Sequence, residues 1–97
     1  MTMHNPPHPG EFLWATYLEP FALSVRSLAK SLGVSPSTLT RLLRRQSGLS
    51  PAMALRLAKA VGRSPESWLA MQHAYDLWQT KQTTDLSGVH KVAFKAA

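Results

Sequence analysis

VRSLAKSLGVSPSTLTRLLR, residues 25–44, is the stretch that decides the fold. Ser24 and Ser35 each precede an apolar-periodic run, and a serine hydroxyl there accepts a bond from a free N–H of the first helical turn. Pro36, at the first helical position, has no N–H to leave unpaired. Gly33 can adopt the left-handed conformation that closes a helix. Between these marks Leu28, Leu32, Leu39, Leu42 and Leu43 recur at helical spacing. Ala29 is small where two helices must cross closely, and Leu28, Leu32, Val34, Leu39 and Leu42 fall where side chains must point inward to hold the second helix steeply against the first. The pattern is a helix-turn-helix. Such motifs also occur in helical proteins that never touch DNA, so the outward side of the second helix carries the functional test.

At about 100° per residue, Leu39, Leu42 and Leu43 define the buried direction of that helix. The opposite side holds Ser37, Thr40, Arg41 and Arg44, flanked by Thr38 and Arg45. A rod of about 15 Å lies lengthwise in a DNA major groove, where arginine makes bidentate contacts to guanine and short hydroxyl residues reach base edges. Ser37, Thr38, Thr40 and Arg41 are therefore the candidates for base contact. Arg44 and Arg45, nearer the far end, are candidates for holding phosphates. So are Ser24, Arg26 and Ser35, at helix starts whose free amides favour an anion. Arg56, Lys59 and Arg63, on the next helix and its end, either solvate it or join the DNA contact.

Working outward, Ser35-Pro36, Ser50-Pro51 and Ser64-Pro65 mark three helix starts, with Ser24 and Pro9-Gly10-Glu11 as two more. Pro20, Gly33, Gly62 and Ser47-Gly48 mark stops. Five helices are expected, near 10–19, 25–32, 36–46, 51–61 and 65–81. The apolar stripe of the fourth is Met53, Ala54, Leu57, Ala58 and Val61. No sustained two-residue alternation precedes residue 84, and the connections are short, which predicts a compact all-α five-helix bundle. Residues 1–8 read as a flexible arm, 9–82 as the DNA-binding domain with a C-terminal dimerisation helix, and 83–97 as a tail, frayed or ordered by a partner. LAKSLGVSP at 28–36 recurs as LAKAVGRSP at 57–65, an echo of two stacked helix-turn-helix units of which only the first is followed by arginines.

The chain has 97 residues and a net charge of +6, and the excess is regional. Residues 20–65 contain Arg26, Lys30, Arg41, Arg44, Arg45, Arg56, Lys59 and Arg63 and no acid, whereas residues 1–19 contain Glu11 and Glu19 and no Lys or Arg. One sign of charge over a contiguous segment draws in a polyanion; a merely solvated basic face is the plain alternative. One small domain leaves little room for an enclosed catalytic cleft. With no cysteine there is no disulfide, thiolate nucleophile or thiolate zinc site, which fits a reducing cytoplasm. No run of residues is long and apolar enough to span a membrane, and MTMHNPPHPG lacks the pattern of a secretory signal. His4 and His8 fall in the Pro-rich arm, no His pair shares a helix with a carboxylate, and neither a phosphate-binding Gly-rich loop nor a nucleophile elbow is present. Neither enzyme, metal nor cofactor is expected. Trp14, Trp68 and Trp78 are read as core and interface, away from the arginine cluster.

On the fifth helix Trp68, Met71, Tyr75 and Trp78 form one stripe, and Leu69, Ala70, Ala74 and Leu77 widen it beyond what one bundle needs. Met71, Tyr75 and Trp78 are the candidate dimer interface. Two-fold pairing would present two recognition helices to adjacent major grooves and call for a palindromic operator.

HPGEFL at 8–13, LEPFALS at 18–24, LAKSLGVSPSTLTRLL at 28–43 and LSPAMALRLAKAVGRSPESWLAMQHAYDLW at 49–78 together resemble the HigA-type antitoxins, within the larger class of Xre/Cro-like helix-turn-helix regulators. The resemblance implies a lambda-repressor-like bundle, usually dimeric, that represses its own promoter and in many members neutralises a small RelE-like ribonuclease toxin. Solitary regulators without a toxin share these motifs, and a protein-binding scaffold is the reading from another class. Phe12, Trp14 and Tyr17 on the first helix are the candidate surface for a toxin. Two positions depart from the family pattern: Ala52 stands where an acid often follows the proline of the fourth helix, and Arg44-Arg45 where an Asn-Gly turn often follows the recognition helix.

Overall fold

The computed structural model describes residues 5–96 and, among them, helices and turns without a strand. The helices are α1 (Pro9–Leu13), α2 (Val25–Leu32), α3 (Pro36–Leu43), α4 (Pro51–Ala60) and α5 (Pro65–Thr83); α1 runs on into a π turn, Trp14–Leu18, and a 3-10 turn, Glu19–Phe21. The expected all-α, five-helix architecture with a helix-turn-helix is what forms.

Four of the five starts are the expected serines. Ser24, Ser35, Ser50 and Ser64 each accept from the N–H three residues on, at 3.0, 3.2, 3.1 and 3.0 Å. The fifth start differs. His8 caps α1, its Nδ1 accepting from the Gly10 N–H at 2.9 Å, and the side chain is buried beneath the ring of Tyr75, edge-on at 4.9 Å. His8 is therefore structural and not part of a flexible arm; residues 1–4, including His4, lie outside the described residues.

The first helix is not one α-helix over 10–19. Pro20 lacks an N–H and its ring would collide with the carbonyl four residues back, so the chain widens before it: the Glu19 N–H reaches the Trp14 carbonyl, five residues away. Pro20 itself lies inside the 3-10 turn, and the reversal comes at Ala22, with φ at 52°. α3 also stops earlier than residue 46. Arg45 takes the left-handed conformation, φ 62°, and the Gln46 N–H bonds the Arg41 carbonyl at 2.8 Å, which closes the helix before Ser47-Gly48 is reached.

The core is Leu13, Leu18, Leu28, Ala29, Leu32, Leu39, Leu42, Leu49, Met53, Ala54, Leu57 and Trp68, with Val34, Leu43, Ala58 and Val61 packed partly buried against it. α1 crosses the end of α3 with the backbones in contact: a Cβ on Gly10 would overlap the Leu42 carbonyl oxygen. Any side chain there would push α3 away. α5 closes the other side through Trp68, whose indole N–H donates to the Gly62 carbonyl at 3.0 Å, and through Gln72. Gln72 is buried and polar, and both ends of its amide are satisfied, Oε1 by the Leu49 N–H at 2.8 Å and Nε2 by Asp76 at 2.9 Å. Residues 84–96 are exposed and form a turn at Leu86–Val89 without helix or strand.

Candidate nucleic-acid interface

α3 presents the side that its spacing predicts. Leu39 and Leu42 are buried, while Ser37, Arg41 and Arg44 are exposed and Thr38 and Thr40 half-buried on the opposite side. Ser35 gathers the start of this helix: its Oγ accepts the Thr38 N–H, sits 2.8 Å from Thr38 Oγ1 and 3.2 Å from Ser37 Oγ. Arg41 extends along the same edge, Nη2 donating to Thr38 Oγ1 at 3.4 Å. These hydroxyls thus orient one another and the guanidinium; Ser37 and Thr38 retain capacity for an outside partner, whereas Ser35 Oγ takes one only by exchanging one of these bonds. Ser24 behaves alike, accepting the Ser27 N–H and donating to Ser27 Oγ at 2.9 Å. Its use as a cap leaves the amides of Val25 and Arg26 at the helix mouth without intrahelical acceptors.

Charge is distributed unevenly within the basic segment. Among the described residues the only ion pair is Arg45 Nη1 to Glu11 Oε1 at 3.2 Å, half-exposed at both ends and so worth at most about 1 kcal/mol. Arg26, Lys30, Arg41, Arg44 and Lys59 are exposed without an acidic partner. Two arginines that were candidates for DNA contact are occupied. Arg56 donates to the Leu32 and Gly33 carbonyls at 2.8 and 3.4 Å and so terminates α2. Arg63 lies over the rings of Phe12 and Trp68, at 4.9 and 5.8 Å from their centroids, and bonds Ser67 Oγ at 2.8 Å. Charge counting cannot distinguish these from the free ones, because their partners come from elsewhere in the chain.

The tryptophans divide as well. Trp68 is core and Trp78 half-buried, but Trp14 is 45% exposed and shares a slot with Thr40 and Arg44, so it lies beside the arginine cluster. It follows α1 in helical conformation, one turn beyond Gly10, on the face that packs against the end of α3. Of the proposed dimer residues, Met71 packs on the core and Tyr75 on His8, since both continue the face of Trp68; Trp78 is half-buried. The large apolar side chain of α5 that stands free is Leu77, 57% exposed, with Leu86 of the tail across a shallow groove.

No group of three or more His, Cys, Asp or Glu side chains converges to hold a metal ion among the described residues, and none of their helices is long and apolar enough to cross a membrane. Burial holds the His8 imidazole below its ordinary value; Glu11 and Asp76 oppose the shift, Arg45 reinforces it, and the Ser47 backbone opposes it.

The sequence profile of the helix-turn-helix family matches residues 15–68. The chain is 39% identical to antitoxin HigA-1 of Vibrio cholerae over 80 residues, 82% of this chain and 75% of the relative. It is 35% identical to the uncharacterized HTH-type transcriptional regulator YddM of Escherichia coli K12 over 92 residues, 95% and 97% of the two chains. The fold superposes on antitoxin GraA in complex with its operator with a TM-score of 0.81 at 34% identity, covering 100% of this chain and 98% of GraA.

Proposed function

Because this chain belongs to the helix-turn-helix family, among the HigA-type antitoxins, we propose that it is a sequence-specific repressor that binds double-stranded DNA as a homodimer. The observation that carries this reading is the outward side of α3, where hydroxyls and unpaired guanidinium groups face solvent above a leucine floor. Ser37, Thr38, Thr40 and Arg41 read base edges. Ser24, Arg26, Ser35, Arg44 and Arg45 hold phosphates, Arg45 by exchanging Glu11 for a more highly charged acceptor. GraA, so similar in fold, has been solved on its operator. Two copies would pair through the distal part of α5, where Trp78 and Leu77 lie, and set their α3 helices about 34 Å apart, matching a palindromic operator.

The further role is that of the antitoxin in a type II pair, repressing its own operon and neutralising a RelE-like ribonuclease. Identity to HigA-1 supports it. The second reading is a regulator acting without a toxin; YddM, matched over nearly the whole chain, is an uncharacterized transcriptional regulator and is compatible with either. A neighbouring reading frame for a small basic protein is the first thing to look for, and co-expression with it separates the two, since only an antitoxin co-purifies with such a protein and relieves its growth arrest. For DNA, the fragment upstream of the gene is the probe. Arg41→Ala weakens binding by about 1–3 kcal/mol and relaxes sequence preference, whereas Arg45→Ala lowers affinity on every sequence and reduces the salt slope by about one ion. Wild-type binding by both variants would remove α3 from the interface.

A further inference from the structure

Trp14 begins the π turn and forms one wall of an open slot of about 380 Å³. The other walls are Val25, Thr40, Leu43 and Arg44. Thr40 and Arg44 belong to the outward side of α3, and Val25 opens α2 between Ser24 and Arg26, so the slot is continuous with the surface assigned to DNA. Its floor is apolar and its rim carries a hydroxyl and a guanidinium. Among the described residues the Trp68 indole N–H donates to the Gly62 carbonyl, while that of Trp14 has no hydrogen-bond partner. An indole N–H can only donate, and beside a free arginine the acceptor that best satisfies both is an anion. Both residues are open to solvent, so an anion can engage the two donors together.

We propose that this slot seats one sugar-phosphate unit of the DNA strand that runs past α2 and α3. The deoxyribose rests on Val25 and Leu43, and a phosphate oxygen accepts from both Trp14 Nε1 and Arg44. Trp14 is then a positioning residue: it fixes the register of the backbone against α3 and with it the reach of Arg41. The inference rests on the DNA-binding reading above and extends it to α1, which that reading leaves out. Indole and guanidinium also separate in their dependence on salt. A neutral donor adds affinity without releasing a counterion, whereas an arginine on a phosphate adds affinity and slope together.

The experiment is a fluorescence-anisotropy titration of the labelled upstream DNA fragment at several salt concentrations, with wild type, Trp14→Phe, Arg44→Ala and Arg41→Ala. Trp14→Phe keeps an aromatic wall and loses only the donor. It is expected to unfold at the wild-type temperature and to bind about 3- to 10-fold more weakly at every salt concentration, with an unchanged slope. Arg44→Ala loses affinity and about one ion of slope. Wild-type tryptophan emission changes on adding unlabelled DNA, and the change is absent in Trp14→Phe. If Trp14→Phe binds as wild type while Arg41→Ala is weakened, the slot is not part of the interface and the reading of α3 stands. Wild-type DNA binding by Trp14→Phe combined with loss of a co-expressed toxin would also overturn the inference, giving the slot to a protein partner. No binding by wild type at low salt would defeat both readings together.

Discussion

LAKSLGVSP at 28–36 and LAKAVGRSP at 57–65 share six of nine residues, and both end a helix, turn the chain and start the next helix on Ser-Pro. Their surroundings then diverge. In the first unit Gly33 caps α2 in the left-handed conformation and Val34 tucks against the core. In the second, Val61 caps α4, and Gly62 and Arg63 are both left-handed, φ 104° and 65°. Arg63, where the first unit has Val34, folds over Phe12 and Trp68. Four residues after the capping serines, Leu39 and Trp68 occupy equivalent positions, and both are fully buried. The outward positions Ser37, Thr40, Arg41 and Arg44 correspond to Glu66, Leu69, Ala70 and His73. One local device thus builds two helix pairs, and the outward side chains differ most: hydroxyls and arginines on α3, against Glu66, Leu69, Ala70 and His73 on α5.

The equivalence of Leu39 and Trp68 predicts the largest effects. Trp68→Ala removes the bigger side chain, the bond to Gly62 and the ring beneath Arg63, and is expected to cost about 3–5 kcal/mol; Leu39→Ala is expected to cost about 2–5 kcal/mol. Urea unfolding measures both. At urea concentrations low enough for both to remain folded, Leu39→Ala alone should also lose operator affinity, because it loosens the helix that carries the reading side. If Trp68→Ala proved the more damaging to DNA binding per unit of lost stability, the division of labour between the units would be wrong.

A smaller effect distinguishes α1, which lies outside the echo. The four serine caps do not titrate in the accessible range, but the imidazole at His8 does. Its pKa lies below the ordinary 6.5 chiefly because burial disfavours the charged form, and Nδ1 must be unprotonated to accept from Gly10. The unfolded chain therefore binds the proton more readily. The contribution of this group is complete above about pH 6.5 and is lost as the pH falls through the folded value. Stability measured from pH 8 to 5 should decline in the acid half of that range, and less so in His8→Asn. Parallel curves for the two proteins would show that His8 does not couple to folding.

These contrasts mark what was legible in the sequence. Helix starts were, because a serine hydroxyl and a proline ring act on their own three neighbours. The leucine stripes and the outward side of α3 were, because helical periodicity is local. His8, Gln72, Arg56 and Arg63 were not, since each acts on a group brought near only by folding: Tyr75, Leu49, the α2 carbonyls and the Phe12–Trp68 rings. His8, Gly10 and Glu11 did leave a trace in the HPGE string, each engaged with a different part of the fold. The place of Trp14 was hidden because the contact of α1 with the end of α3, which brings it beside Thr40 and Arg44, is made only on folding.

The smallest predicted effect is the sharpest comparison. Arg45, just after α3, and Arg63, in the turn between α4 and α5, share the left-handed conformation, φ 62° and 65°. Glycine at either site relieves a similar backbone strain and adds a similar freedom to the unfolded chain, so both terms cancel when the two variants are compared. What is left is the difference between side-chain contacts. Arg45 loses one half-exposed ion pair with Glu11, worth about 0–1 kcal/mol and screened by salt. Arg63 loses contact with two rings and a hydrogen bond to Ser67, about 1–2 kcal/mol in total. Arg63→Gly should therefore be less stable than Arg45→Gly by about 1 kcal/mol in urea unfolding, and the gap should widen slightly with added salt. On DNA the order reverses: Arg45→Gly binds more weakly with a lower salt slope, while Arg63→Gly binds as wild type. Equal losses in both assays would mean that the two left-handed arginines are interchangeable, and that the second unit is no less a DNA-facing element than the first.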